Sequence, residues 1–172
     1  MTDRPTISLV LGGARSGKSA FAQERAEASG LEPVYVATAQ AFDDEMTDRI
    51  ARHRADRDAR WRTVEAPLEL AAMIAAEAAA TRILLVDCLT LWLSNVMLAD
   101  RDVDAAQHDL LTALGQAGGP LILVSNEVGL GIVPENALAR RFRDAAGRLN
   151  QAVAAASGEV TFVAAGLPLR LR

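Results

Sequence analysis

The sequence predicts an α/β domain in which helices flank a mostly parallel central sheet. Short apolar runs alternate along the chain with longer stretches of helical periodicity, which is the pattern of repeated β-α units. The apolar runs are continuous rather than alternating, as expected of parallel strands that are covered on both faces. A length of 172 residues is close to one domain at about 150 residues per domain, so residues 1–172 are predicted to form a single domain.

Five strands and six helices are predicted. The strands cover residues 7–11, 33–37, 83–86, 121–125 and 160–164. The helices cover residues 17–29, 43–57, 67–80, 89–98, 103–117 and 135–156. The last helix has the clearest apolar stripe, at steps of three and four: Leu138, Phe142, Ala145, Leu149, Val153 and Ala156. Ligands of such folds bind at the carboxyl ends of the strands, so functional residues are expected in the segments that follow each strand.

The composition excludes several classes of protein. With 51% apolar and 23% charged residues, the chain is not disordered. A net charge of −4 and an isoelectric point of about 5.2 argue against a nucleic-acid partner, because such binders are basic over at least one face. The one cysteine, Cys88, forms no internal disulfide, so a cytoplasmic location is expected. The run at 7–11 is too short for a signal peptide, and Glu69 and Glu77 interrupt the Ala-rich stretch at 66–80, so no membrane span is expected.

The segment after the first predicted strand matches the phosphate-loop pattern G-x-x-x-x-G-K-[ST]. Its residues are Gly12, Gly13, Ala14, Arg15, Ser16, Gly17, Lys18 and Ser19. The glycines let backbone N–H groups face phosphates, the following helix adds the positive end of its dipole, and the hydroxyl after the lysine binds Mg²⁺. Lys18 is the single lysine beside 17 arginines, which indicates a position that needs a compact ammonium group. A chance glycine-rich turn is the alternative, but the strand before it and the helix after it favour a nucleotide site.

A carboxylate partner for Mg²⁺ is predicted at the end of the third predicted strand. Asp87 directly follows the apolar run at 83–86, so the fold places it at the same edge of the sheet as Ser19. We therefore expect Ser19 and Asp87 to hold the metal. In the other interpretation, Asp87 caps the helix that begins at Leu89.

An arginine-rich helix follows the second predicted strand. Six arginines lie between Arg49 and Arg62 in an otherwise acidic chain. Since one guanidinium group can bind two phosphate oxygens at once, so many arginines in one segment suit a polyphosphate ligand. Acidic residues at the start of the helix and basic residues at its end also suit the helix dipole, which offers a structural explanation of the same charges.

His53 lies on this helix. It continues a short face with Met46 and Ile50, and the residues alone favour a structural histidine. The functional alternative is a nucleophile, because a neutral imidazole can attack phosphorus and form a covalent intermediate. Arg54 and Arg57 would then stabilise the charge on the departing pyrophosphate.

A long glycine-containing loop covers residues 126–135, after the fourth predicted strand. Glu127 is a candidate acceptor for the proton of a substrate hydroxyl, directly or through Mg²⁺. A structural turn capped by Asn126 explains the same residues equally well. Asn126 and Glu127 together are a possible substrate loop.

These motifs together resemble the bifunctional adenosylcobinamide kinase / adenosylcobinamide-phosphate guanylyltransferase family of cobalamin biosynthesis. The resemblance covers nearly the whole chain. It rests on the phosphate loop at 12–19, Tyr-Val-Ala-Thr-Ala at 35–39, Asp-Asp-Glu-Met at 43–46, Arg-Ile at 49–50, His-Arg at 53–54, Trp-Arg-Thr-Val-Glu at 61–65, Ser-Asn-Glu-Val-Gly at 125–129, Gly-Ile-Val-Pro at 131–134, Arg-Phe-Arg-Asp at 141–144, Gly-Arg at 147–148 and Asn-Gln at 150–151. The phosphate loop is common to many families, whereas the His53 helix followed by the Asn-Glu-Val-Gly loop is far more specific.

The resemblance implies two reactions. A nucleoside triphosphate, ATP or GTP, first phosphorylates the aminopropanol hydroxyl of adenosylcobinamide. The family's histidine, whose place His53 occupies, then attacks the α-phosphorus of GTP and releases pyrophosphate. The GMP passes to adenosylcobinamide phosphate and gives adenosylcobinamide-GDP. With the resemblance included, the nucleophilic interpretation of His53 is preferred over the structural one.

The resemblance also implies a RecA-like P-loop NTPase fold, bound Mg²⁺ and a homotrimer. Lys18 would act in catalysis beside His53. The family's nucleotide contacts fall on the phosphate loop and on Ala37, Thr38, Ala39, Arg54, Ala55, Asp56, Arg57, Glu65 and Asp87.

Two other functions are alternatives. One is a monofunctional P-loop kinase that acts on another small molecule and has a structural His53. The other is a RecA-type ATPase module that acts on a polymer. The acidic charge and the lack of a basic surface rich in aromatic residues argue against the second.

Overall fold

The computed structural model describes residues 6–40, 44–55 and 57–172, apart from the side chains of residues 45, 46, 49 and 52–54. Within these residues the chain forms seven strands and six helices. The strands are β1 (Ile7–Gly12), β2 (Glu32–Ala37), β3 (Arg62–Glu65), β4 (Arg82–Asp87), β5 (Leu121–Asn126), β6 (Glu159–Ala164) and β7 (Leu167–Arg170). The helices are α1 (Lys18–Ala28), α2 (Asp44–Ala55), α3 (Leu70–Glu77), α4 (Leu89–Leu98), α5 (Val103–Gln116) and α6 (Ala137–Ala156).

All seven strands belong to one sheet, in the order β3-β2-β4-β5-β1-β6-β7. Every neighbouring pair is parallel except β6 and β7, which are antiparallel. The predicted α/β fold with a mostly parallel sheet is therefore confirmed. All five predicted strands are present, and their ends differ from the predicted ends by one residue at most.

Strands β3 and β7 were not predicted, and both lie at an edge of the sheet. Each is four residues long, and neither contains a fully buried residue. The continuous apolar run that marks a central parallel strand is therefore missing from both. Pro168 additionally weakens the strand signal of β7, since proline is confined to edges and strand ends.

The sheet is covered on both faces, as the continuous apolar runs predicted. Helices α3 to α6 pack on one face, where Leu84 and Leu123 belong to the larger core cluster. Helix α1 packs on the other face, where Ala22 lies against Leu85 and Val124 in a second cluster. Neighbouring residues of one strand thus point into different clusters, as the alternation of side chains along a strand requires.

Helices α2 and α6 differ from the prediction, α2 in its extent and α6 in the burial of its apolar stripe. The helix predicted at 43–57 corresponds to α2 (Asp44–Ala55), so Arg57 lies beyond it. The stripe predicted on α6 is buried in its middle, at Ala145, Leu149 and Val153, whereas Leu138 at the start of the helix is 49% exposed. None of the helices in the described ranges has the length and apolarity needed to cross a membrane.

The strand ends bring the predicted site residues to one edge of the sheet. Gly12, Ala37, Glu65, Asp87 and Asn126 are the last residues of β1 to β5 in turn. The register pairs Gly12 with Asn126, and pairs Ala37 with both Glu65 and Asp87. Because these strands are parallel, all five residues face the same end of the molecule.

Candidate functional site

The phosphate loop joins β1 to α1 in a closed conformation. Gly17 caps the helix with a φ of 93°, a left-handed conformation that glycine adopts without steric cost. Lys18 is 7% exposed, and its Nζ donates to the carbonyl of Gly13 at 3.0 Å. Gly166, in the turn between β6 and β7, donates its backbone N–H to the Ser16 carbonyl at 2.8 Å. The loop is therefore held by its own lysine on one side and by the last hairpin on the other.

Gly12 is required by close packing at the base of this loop. A Cβ at Gly12 would lie 2.4 Å from Ser16 Oγ and 2.6 Å from the Val163 carbonyl oxygen, far inside contact distance. A Cβ at Gly13 would meet nothing within 4 Å. The buried Ser16 Oγ has no hydrogen-bond partner among the described residues. The two glycines at the start of the motif thus differ in their steric role.

A pocket opens beside the loop at the carboxyl edge of the sheet. Eight of the predicted site residues line it: Lys18, Ser19, Ala37, Ala39, Arg57, Glu65, Asp87 and Asn126. The other lining residues are Tyr35, Ile50, Thr63, Cys88 and Leu91. Residues that are far apart in the sequence therefore meet in one cavity next to the phosphate loop.

Thr38 is completely buried and is not a lining residue of this pocket. Its Oγ1 donates to the Cys88 carbonyl at 2.7 Å and accepts from the Cys88 N–H at 2.8 Å. Its own carbonyl accepts from Asn95 Nδ2 at 2.7 Å. The side chain of Thr38 thus connects the end of β2 to the residue that follows Asp87.

Asp87 ends β4, and Cys88 rather than Asp87 occupies the N-cap position of α4. The interpretation of Asp87 as a helix cap is therefore wrong, and Asp87 instead lines the pocket. Cys88 is buried, and burial, followed by the charge of Asp87, raises the pKa of its thiol to about 11. The thiol therefore stays protonated at neutral pH and is not an activated nucleophile.

Ser19 and Asp87 line this pocket and also a second, adjoining one. A hydroxyl and a carboxylate are the hard oxygen ligands that Mg²⁺ prefers, and phosphates and water usually supply its remaining ligands. The predicted pair of metal ligands therefore fits the ion. Lys18 lines the first pocket beside them.

Asn126 is placed in the pocket by a buried polar network behind β5. Its backbone N–H donates to Thr90 Oγ1 at 2.7 Å, and its carbonyl accepts from Asn150 Nδ2 at 3.3 Å. Ser125 Oγ donates to Asn150 Oδ1 at 2.7 Å. Sequence reasoning did not assign a role to Asn150 or Thr90. Both polar residues are nearly buried, on helices that were predicted from their apolar periodicity.

Glu127 does not line the pocket. Its Oε1 accepts from the Gly129 backbone N–H at 2.6 Å, and its own N–H donates to the Gly12 carbonyl at 3.0 Å. This geometry corresponds to the structural-turn interpretation of the loop, although the acceptor in the turn is Glu127 rather than Asn126.

Tyr35 is one of five pocket residues to which sequence reasoning gave no role in the site. It is the single tyrosine of the chain, and it lies two residues before Ala37 on the same side of β2. The guanidinium carbon of Arg57 lies 3.6 Å from the centroid of its ring. Burial, followed by the nearby charge of Asp87, raises the pKa of the phenol well above its usual value, so Tyr35 is neutral. Its position inside an apolar strand gave no signal of function.

Several predicted residues lie outside the described part of the site. Asp56 lies outside the described residues, and so do the side chains of His53 and Arg54. The backbone of α2, which carries His53, is described, and Ile50 of that helix lines the pocket. Ala55 is exposed at the end of the same helix.

Fold, loop and pocket define a P-loop NTPase of the RecA-like type. Solved structures with this fold include the RadB recombinase, with a TM-score of 0.54, 14% identity and coverage of 91% of this chain and 73% of that one. The flagellar accessory protein FlaH of Methanocaldococcus jannaschii gives a TM-score of 0.54 at 12% identity, over 97% of this chain and 78% of that one. At such low identities these likenesses concern the fold alone.

Sequence comparison identifies the family. The sequence model of the family described as cobinamide kinase / cobinamide phosphate guanyltransferase matches residues 8–171. The chain therefore belongs to this family of enzymes. It is 56% identical to the bifunctional adenosylcobalamin biosynthesis protein CobP of Pseudomonas aeruginosa, over 95% of this chain and 96% of that protein. It is 40% identical to the bifunctional adenosylcobalamin biosynthesis protein CobU of Salmonella typhimurium, over 95% of this chain and 98% of that protein.

Proposed function

We propose that this enzyme phosphorylates adenosylcobinamide and then guanylylates the product through a covalent GMP intermediate on His53, using one nucleotide pocket for both reactions. The observation that carries the proposal is the convergence of Lys18, Ser19, Arg57 and Asp87 in a single cavity against helix α2. Family membership supports the two activities.

In the kinase reaction the phosphate loop and Lys18 bind the triphosphate. The substrate hydroxyl oxygen attacks the γ-phosphorus, the bond to the bridging oxygen breaks, and the nucleoside diphosphate leaves. Such a transfer needs positioning and charge neutralisation more than covalent chemistry. Mg²⁺ bound by Ser19 and Asp87 would supply part of that neutralisation. The hydroxyl proton passes to solvent or to Glu127, which has to leave its present bond to the Gly129 N–H for that role.

In the guanylyl reaction a ring nitrogen of His53 attacks the α-phosphorus of GTP. The bond to the β-phosphate oxygen breaks, and pyrophosphate leaves with its charge stabilised by Arg54 and Arg57. A phosphate oxygen of adenosylcobinamide phosphate then attacks the same phosphorus, so the P–N bond breaks and the imidazole is regenerated. A covalent intermediate lets one site serve two acceptors in turn.

Incubation with α-labelled GTP and Mg²⁺ tests the proposal. The protein is expected to acquire label that acid removes and base does not, as a phosphoramidate behaves. His53→Ala is expected to lose the label and to keep kinase activity. His108→Ala is the matched control, because His108 is the other histidine of the chain and is exposed on α5. Label that persists in His53→Ala would place the nucleophile elsewhere. An unlabelled wild-type protein would favour the monofunctional kinase with a structural His53.

The nucleotide contacts at Ala37, Thr38, Ala39, Ala55, Asp56 and Glu65 belong to this proposal, and so do the homotrimer and the cytoplasmic location. Thr38 is completely buried, with its hydroxyl bonded to Cys88, its carbonyl to Asn95 and its N–H to Asp87, so a nucleotide contact there requires this segment to rearrange. Light scattering during size-exclusion chromatography tests the oligomer. A mass other than three chains would contradict it.

A further inference from the structure

Tyr35 lies at the junction of two adjoining pockets. One pocket is next to the phosphate loop, and the other opens along α1 beside Ser19. Tyr35, Arg57 and Asp87 line both. Since Tyr35 as a residue is 8% exposed, its ring forms a wall between the pockets rather than a mobile surface group.

The ring is fixed on several sides. Tyr35 belongs to β2, where it pairs with Leu85 of β4 and Thr63 of β3. Trp61 packs edge-on against it, with centroids 6.3 Å apart and planes 75° apart. The indole N–H of Trp61 donates to Glu27 on α1 at 3.0 Å. Tyr35 is therefore a rigid platform in the sheet, and whatever stacks on it is held at the pocket.

Arg57 is the group that stacks on this platform, with its guanidinium carbon 3.6 Å from the ring centroid. Stacking uses the face of the guanidinium and leaves the N–H groups at its edge available for phosphate oxygens. Among the described residues, Arg57 makes this stacking contact but forms no hydrogen bond or ion pair. Arg57 also lies two residues beyond Ala55, where α2 ends. The stack thus attaches the chain just after the His53 helix to strand β2 of the sheet.

We infer that Tyr35 is a positioning residue for guanylyl transfer: its ring holds the Arg57 guanidinium at the pocket and, through it, the end of the helix that carries His53. The inference rests on the proposed function, because it assigns Arg57 to the pyrophosphate released in the second reaction. It predicts a larger effect on guanylyl transfer than on phosphorylation, since the pyrophosphate released in the second reaction is the group assigned to Arg57, whereas γ-phosphoryl transfer is assigned to the phosphate loop and Lys18.

The ring and the hydroxyl of Tyr35 have distinct neighbours, which makes the inference testable. Tyr35→Phe keeps the ring under Arg57 and removes the hydroxyl near Asp87. Tyr35→Leu removes the ring as well. Each variant is assayed for the rate of covalent labelling from α-labelled GTP and for the rate of phosphorylation, both at saturating nucleotide. Thermal unfolding of each variant shows whether it is folded.

Tyr35→Leu is expected to slow labelling by about tenfold or more, because small misplacement of reacting groups is costly, and to slow the kinase reaction much less. Tyr35→Phe is expected to label at close to the wild-type rate. Arg57→Lys, at a partly exposed position, keeps the charge and loses the planar stack, and is expected to behave as Tyr35→Leu does. This variant tests the inference even if Tyr35→Leu does not fold.

Equal losses of both activities in Tyr35→Leu would show a merely structural role and overturn the inference. So would a Tyr35→Phe variant that labels as slowly as Tyr35→Leu, or an Arg57→Lys variant that labels at the wild-type rate. If the wild-type protein carries no label, the proposed function fails and the inference fails with it. If the wild type labels and the variants label equally well, the inference alone fails.

Discussion

Thr38 forms two hydrogen bonds with the backbone of one residue, Cys88, donating from Oγ1 to its carbonyl at 2.7 Å and accepting from its N–H at 2.8 Å. Both residues are buried. A residue that the family resemblance suggested as a nucleotide contact thus serves, through its side chain, to fix the segment that follows Asp87. Four experiments follow from this and related contacts.

Thr38→Val is expected to destabilise the fold by about 1–3 kcal/mol for each buried backbone group left unpaired. Valine has nearly the shape of threonine, so the change tests the hydrogen bonds rather than the packing. Thr38→Ser retains the hydroxyl and is the control. Denaturant unfolding measures the free energy of unfolding of both variants. Equal stability of the Val and Ser variants would show that the two bonds contribute little.

Gly12→Ala is expected to lower the melting temperature and to weaken nucleotide binding, because the added Cβ meets Ser16 Oγ at 2.4 Å and the Val163 carbonyl at 2.6 Å. The second contact is with backbone, so the loop or β6 has to move. Gly13→Ala is the matched control for stability, since its Cβ meets nothing within 4 Å. A thermal unfolding scan that ranks the two variants in the opposite order would contradict the packing argument.

Lys18→Ala is expected to reduce phosphorylation by at least about a hundredfold, the usual cost of removing one charge-stabilising donor from an active site. Lys18→Arg is not expected to restore the rate. Lys18 is 7% exposed, with Nζ bonded to Gly13, and a planar guanidinium does not fit a site built for a compact ammonium group. Kinase turnover is the measurement. A Lys18→Arg enzyme at the wild-type rate would show that charge alone suffices.

The Arg25–Glu159 ion pair predicts a pH dependence of stability. Arg25 Nη2 donates to Glu159 Oε2 at 2.8 Å, and this hydrogen bond with Arg25 holds the pKa of Glu159 below its usual value. A carboxyl whose pKa is lowered in the folded state stabilises the fold above the unfolded pKa of about 4.3, and this contribution disappears as the pH falls through the folded pKa.

Glu159→Gln should therefore cost about 1 kcal/mol or less at pH 7, since solvent screens a partly exposed pair. The difference from wild type should shrink toward pH 3. Unfolding free energies measured at both pH values check the prediction. If the difference in unfolding free energy between wild type and Glu159→Gln grew as the pH fell, the predicted direction of the pH dependence would be wrong.

Much of the fold could be predicted because its signals are local. The central strands are continuous apolar runs, and the helix that contains Leu149 and Val153 has an apolar repeat of three and four residues. Strands β3 and β7 carry no such signal, since neither contains a buried run. Strand β3 pairs with β2, which is distant in sequence, whereas β7 pairs with β6 across a short turn. These edge strands are defined by their backbone pairing rather than by buried side chains, and the pattern of apolar residues does not show that pairing.

In the functional site, too, some residues are identified by local sequence and others only by the fold. The phosphate loop is contiguous, and Asp87 and Asn126 are marked by the apolar runs before them, so their placement at one edge follows from parallel strands. The place of Tyr35 was not predictable. A tyrosine in an apolar strand has the sequence signature of a core residue. Only the stacking of Arg57 on its ring, which the structure shows, indicates another role.

By itself, then, the sequence determined the chemistry available to this protein: a phosphate loop with a single lysine, a carboxylate at a strand end, and a histidine within an arginine-rich helix. Each depends on residue type and short spacing, which a linear sequence states directly. Only the tertiary structure decided which of these groups share a pocket, that the Thr38 side chain supports Cys88 rather than facing a ligand, and that Tyr35 carries Arg57. The reason is physical: such contacts depend on strand order, register and side-chain burial, and these are fixed when the whole sheet packs.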